Sequence, residues 1–188
     1  MRYQITPSYC FAVNPKVGCT SFSRAIVETH YPAIYAAEIK QGANPDKYSW
    51  AAYCPNLETP DRPVLLLVRH PVDRFISAVQ QVSLSVEVAL DCLLNNIPYS
   101  FPHRSKPTYL RDDEHFSCQS RLVTVGATVL LFPDQLQTAV NLLQLKGLPH
   151  LNQARGPKPT LTAAQISQVA YLYAKDLELF ERTARVCD

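Results

Sequence analysis

The chain has 188 residues, 47% of them hydrophobic and 18% charged, with a net charge of +2 at pH 7. That length suits one domain with a sizeable core, and so small a net charge provides no chain-wide field for nucleic acid, so any basic site must be local. No run approaches the roughly 20 apolar residues of a membrane span, and Met1–Ser8 has no apolar signal core, so a soluble, cytoplasmic chain without membrane or nucleic-acid partners is expected.

Tyr9–Val13 reads as a buried strand. Pro15 ends it, because proline cannot donate to a ladder. Gly18 allows a tight turn and a close approach by a ligand. Thr20 or Ser21 then caps a helix running to about Thr29, with Phe22, Ile26 and Val27 inward. A helix start beside Lys16 suits an anionic phosphate or sulfate group; the same residues also suit an ordinary strand-to-helix turn with a surface lysine. Tyr31-Pro32 stops the helix, and Ala33–Lys40 forms a short second one. Gln41–Pro63 is the loosest stretch, with Pro45, Pro55, Pro60 and Pro63 and the single tryptophan, Trp50.

Val64–Val68 is a second strand, and five consecutive apolar residues imply burial on both faces, hence a central parallel strand. Pro71 fits the first turn of the next helix, where its missing N–H costs nothing. Val72, Phe75, Ile76, Val79, Val82 and Val86 recur at helical spacing, with Leu90 and Leu93 as the continuation until Asn95-Asn96-Ile97-Pro98. Pro98–Glu114 is a polar loop with Arg104, Lys106, Arg111, Asp112 and Asp113, long enough to be functional or mobile. Thr124–Phe132 is a third strand. Asp134 caps a helix over Gln135–Lys146 that Gly147 ends. Leu148–Pro159 is a basic loop with Arg155 and Lys158. Thr162 and Gln165 form a capping box that opens a last helix through Ile166, Val169, Tyr173, Leu177 and Phe180. The six cysteines make no C-x-x-C pair, so reduced thiols are expected and no metal site.

Strands alternating with helices point to an α/β fold with a parallel sheet and a site at the strand carboxyl ends. Both strand exits lead to a cation: Pro15-Lys16-Val-Gly18-Cys19-Thr20-Ser21, and Arg69-His-Pro71-Val-Asp-Arg74-Phe-Ile-Ser77. This pair of motifs resembles the two cofactor loops of sulfotransferases that use 3′-phosphoadenosine 5′-phosphosulfate (PAPS), closest to the carbohydrate-type (sulfotransferase family 2-like) branch. His115-Phe116-Ser-Cys118-Gln119 resembles a His-(Trp/Phe)-x-x-Gln signature of that branch, with Cys118 where proline is commoner. Tyr173-x-x-Asp176-x-x-x-Phe180 resembles its closing helix.

The resemblance implies a single P-loop-like three-layer domain over residues 1–188, with a central parallel sheet flanked by helices. It implies that Lys16, with the amides of Gly18, Cys19, Thr20 and Ser21, holds the 5′-phosphosulfate, and that Arg69 and Ser77 hold the 3′-phosphate. The sulfuryl group passes to a hydroxyl or amine of a carbohydrate or small molecule, with fixed cations in place of a metal. His115 is the motif-supported general base, beside Glu38 and Glu58 in the interval where several relatives carry theirs. Trp50 falls where relatives bind adenine or acceptor; it also suits an aromatic anchoring a loop. Arg74 suits ligand contact or a salt bridge to Asp73 or a surface carboxylate. Arg104, Lys106 and Arg111 suit an acidic acceptor or a solvated loop.

Two alternatives stand beside this reading: a small-molecule kinase, and a non-catalytic nucleotide-binding module. The kinase loop is G-x-x-x-x-G-K-[ST], whereas here Lys16 precedes Gly18 and the second strand ends in Arg69, which repels a metal. The sequence leaves oligomeric state open.

Overall fold

The computed structural model describes residues 3–39, 60–102, 104–149 and 157–186. The chain is mixed α/β and falls into two compact units, Met1–Val68 with Leu122–Gln153, and Arg69–Arg121 with Ala154–Asp188.

The first unit is built on a sheet of β1 (Tyr3–Ile5), β2 (Cys10–Ala12), β3 (Val64–Arg69) and β6 (Thr128–Phe132), in the order β1-β2-β3-β6. β1 runs antiparallel to β2, with Tyr3 opposite Ala12. β2 and β3 are parallel, with Cys10, Phe11 and Ala12 opposite Val64, Leu65 and Leu66. Every residue of β2 is buried, and so are Val64–Val68, as expected of a strand covered on both faces. Helix α1 (Cys19–His30) packs Phe22, Ala25 and Ile26 into a core with Phe11, Leu65, Leu67 and Leu130. Phe11 and Phe22 stack with ring centroids 4.9 Å apart. A short helix α2 (Pro32–Ile34) and a π-turn (Tyr35–Ile39) follow. α5 (Leu136–Leu142) adds Ala139 and Val140 to the same core.

The second unit is largely helical: α3 (Pro71–Val82), α4 (Val86–Leu94), α6 (Ala163–Leu172) and α7 (Ala174–Val186), with a two-stranded ribbon of β4 (Pro98–Tyr99) and β5 (Thr108–Tyr109). α6 packs against α3 and α4, around Phe75, Leu90, Leu93, Phe116, Val169 and Tyr173. The capping box at Thr162 and Gln165 is present in both directions. Pro71 stands in the first turn of α3. Among the described residues no single helix is long and apolar enough to cross a membrane.

The structure corrects several expected elements. The single helix after Pro71 is two helices that meet at 110°. Ser83 leaves α3 in the left-handed region at φ 56°, and the Ser85 hydroxyl caps α4 by accepting from the Val88 N–H at 3.2 Å. Serine is a strong cap and a weak interior helix residue, so the break falls where apolar spacing alone runs on. The last helix is likewise divided, at Tyr173 with φ −116°. Asp134 caps nothing: α5 starts after Gln135 without a side-chain cap and ends at Leu142, well before Gly147. The third strand is Thr128–Phe132, shorter than the apolar stretch suggested. Inside Pro98–Glu114 lie β4, β5 and a 3₁₀ turn at Leu110–Asp112. β1 has no counterpart in the sequence reading.

Candidate functional site

In the first unit, the candidate residues meet at the turn from β2 into α1. Asn14 is fully buried, and its Nδ2 donates to the Leu67 carbonyl at 2.8 Å, tying the turn to β3. Val17 is also fully buried and joins the core. Between these anchors the backbone is left-handed at Lys16, φ 72°, and again at Gly18, φ 79°. At Lys16 that conformation costs roughly 1–2 kcal/mol that a glycine would not incur. Strain of this kind is kept where the surroundings over-determine it; here Asn14 and Val17 do so.

Gly18 is the N-cap of α1, with no side-chain cap. This corrects the expected cap: Thr20 and Ser21 lie inside the first turn, Thr20 half-buried and Ser21 buried. A Cβ on Gly18 would stand 3.4 Å from the Phe132 ring, so the turn is closed on that side as well as left-handed. The first turn holds no acidic residue, so the partial positive charge of the helix start is not offset there. Lys16, Gly18, Cys19, Thr20 and Ser21 thus form one cationic turn around a helix N-terminus, a donor set suited to a phosphate or sulfate oxygen.

In the second unit, the candidates are Arg69, Ser77 and His115. Arg69 ends β3 half-buried, and Ser77 is half-buried in the second turn of α3. Burial lowers the pKa of the Arg69 guanidinium, and Asp73 partly offsets this. Gln119 takes the place of a neighbouring strand at Arg69. Its Oε1 accepts from the Arg69 N–H at 2.9 Å, and its Nε2 donates to the Arg69 carbonyl at 2.8 Å. Gln119 is held in turn by Asp176, whose two carboxylate oxygens accept from the Gln119 and Ser120 amides, each at 2.8 Å. Tyr173 donates from its hydroxyl to the Phe116 carbonyl at 2.8 Å. Phe180 meets the His70 ring edge-on at 5.2 Å. The two late motifs therefore interlock, and their shared product is a fixed backbone at Arg69 and a packed His70 ring.

Arg74 is 3% exposed, and its guanidinium donates to the carbonyls of Ser117 and Glu114 at 2.8 and 3.1 Å. It therefore fixes the 114–117 turn.

His115 stands with its Nδ1 2.8 Å from Asp113 Oδ1, and its backbone N–H donates to the same oxygen at 2.9 Å. Arg104 donates to the other carboxylate oxygen of Asp113 at 2.6 Å, and lies over the Phe101 ring at 4.4 Å. Asp113 has a side chain 1% exposed, against 25% for His115. Burial alone would raise the Asp113 carboxyl, but hydrogen bonds from His115 and Arg104 bring it down to about 2. An ionised carboxylate at Nδ1 orients the ring and leaves Nε2 outside this pair. The sequence reading missed this partnership; Asp113 two residues before His115 was its signal, since aspartate readily bonds the amide two residues on.

Elsewhere, His30 bonds the Leu143 carbonyl at 2.8 Å, a structural role. Arg104 is engaged at Asp113, and Arg111 donates to the Leu93 carbonyl. Lys106 and Lys158 are exposed. Trp50, Glu58, His103, His150 and Arg155, and the Glu38 side chain, lie outside the described residues.

Searches of family models, curated proteins and solved structures find no match to the chain.

Proposed function

We propose that the protein is a PAPS-dependent sulfotransferase, with the two units as parts of one P-loop-like three-layer domain. One observation carries this reading. β2 and β3 are parallel neighbours, and each runs at its carboxyl end into a cation and then a helix, Lys16 before α1 and Arg69 before α3. Carboxyl ends of adjacent parallel strands are where open α/β sheets bind ligands. The left-handed turn at Lys16 and Gly18, closed against Phe132, supports an oxyanion rather than a bulky group at the helix start.

PAPS supplies the sulfuryl group. Lys16 stabilises negative charge on the departing phosphate oxygen, an electrostatic role that needs no reorganisation of the site. Arg69 and Ser77 hold the 3′-phosphate, for which the planar guanidinium fork is well matched. His115 takes the acceptor proton at Nε2 while Asp113 holds Nδ1, as a carboxylate orients an imidazole in other acid–base sites. The acceptor is a hydroxyl or amine of a carbohydrate or small molecule. A reducing compartment such as the cytoplasm belongs to this proposal, since the six cysteines are scattered through the sequence without a C-x-x-C pair.

Transfer of label from [35S]PAPS to a panel of hydroxyl and amine acceptors is the direct test. Lys16→Gly relaxes the backbone while removing the charge, so it should keep the melting temperature and lose transfer by at least about a hundredfold. Full turnover by that variant at saturating PAPS would overturn the proposal, as would transfer of phosphate from Mg·ATP with none from PAPS.

A further inference from the structure

The second unit contains a cavity of about 280 Å³ that the transfer reading does not use. Phe116, Leu172 and Tyr173 line it with apolar surface, and Tyr171, 79% exposed, lines it with an aromatic face. Arg111 and Arg121 also line it, and among the described lining residues there is no carboxylate.

Neither arginine hangs from a loose backbone. Arg111 donates from Nε and Nη2 to the Leu93 carbonyl at 3.1 and 2.8 Å; that uses two of its five N–H donors and leaves three. Arg121 lies in the 3₁₀ turn Gln119–Leu122, whose first two amides Asp176 holds. Cys118, which lines the same cavity, reports their reach. Burial pushes its thiol up and Asp176 adds to this, while Arg121, Arg74 and Arg111 pull it back. A cavity with an aromatic wall, two guanidinium groups and no lining carboxylate matches a flat apolar body with an acidic substituent.

We propose that this cavity binds a small organic anion, one ring in size, whose apolar body lies against Phe116, Leu172 and Tyr173 and whose carboxylate or phosphate meets Arg111 and Arg121. The inference stands independently of sulfuryl transfer.

Calorimetric titration of the full chain with benzoate, phenyl phosphate, benzamide and inorganic phosphate tests it. At least one aryl anion should bind about tenfold or more tighter than both neutral benzamide and ring-free phosphate. Preference for benzoate marks a carboxylate ligand, and preference for phenyl phosphate marks a phosphate. Arg121→Gln, at an exposed position, should keep the melting temperature and weaken that binding about tenfold; Arg111→Lys, which keeps charge but loses the fork, should weaken it as well. Lys16→Gly should leave it unchanged. Equal binding of benzamide, equal binding of inorganic phosphate, unchanged affinity in both arginine variants, or loss in Lys16→Gly would each overturn the assignment.

Discussion

Asp113 shows how one buried carboxylate can link stability to a candidate catalytic group. Its folded pKa of about 2 lies below the ordinary value of 3.8, so its contribution is complete above about pH 4. That contribution is lost as pH falls through the folded value, between about pH 4 and pH 2. The difference corresponds to about 2 kcal/mol. Asp113→Asn should therefore lower stability at pH 7 by about 2–4 kcal/mol, since Arg104 and His115 both lose their charged partner. It should also flatten the acid limb of a stability profile measured by urea denaturation from pH 7 to pH 2.5. An unchanged slope below pH 4 would show that the carboxylate is not what titrates. In transfer assays the same variant should lower kcat more than KM, because a misoriented imidazole hampers proton removal and not binding.

At the scale of elements, the late motifs act as a brace. Asp176, 1% exposed, holds the Gln119 and Ser120 amides, and Gln119 holds both backbone polar groups of Arg69. Asp176→Ala leaves buried donors without their acceptor and should cost about 2–4 kcal/mol in chemical denaturation. Hydrogen exchange at the Arg69 amide should speed up in that variant and in Gln119→Ala; exchange as slow as in the parent protein would mean that β3 ends without their help. The elements most legible in sequence were those with a local cause. Val64–Val68 is a run of five apolar residues, and all five are buried. Thr162 and Gln165 carry a capping box readable within four residues. The break at Ser83 to Ser85 was hidden because Val79, Val82 and Val86 keep an apolar rhythm across it.

At the scale of the molecule, the proposal makes one nucleotide engage two cations, Lys16 after β2 and Arg69 at the end of β3, its parallel neighbour. 3′-Phosphoadenosine 5′-phosphate should accordingly raise the melting temperature much more than AMP does, by mass action on the folded state. Arg69→Gln should abolish the difference between the two nucleotides, and Lys16→Gly should weaken both. Equal shifts for the two nucleotides in the parent protein would remove the role given to Arg69 and Ser77.

Taken by itself, the amino-acid order determined what neighbours in the chain can decide: which runs are apolar enough for buried strands, where Pro71 begins a helix, and where Gly18 allows the tight turn that leads into one. These depend on side-chain shape and on backbone freedom within a few residues. The tertiary structure decided which distant groups meet. Asn14 reaches Leu67, Gln119 reaches Arg69, and Asp176 reaches Gln119 and Ser120. Such pairings join segments dozens of residues apart, and each polar partner is selected by burial of the other, because a hydrogen-bonding group removed from water requires a mate wherever the fold presents one.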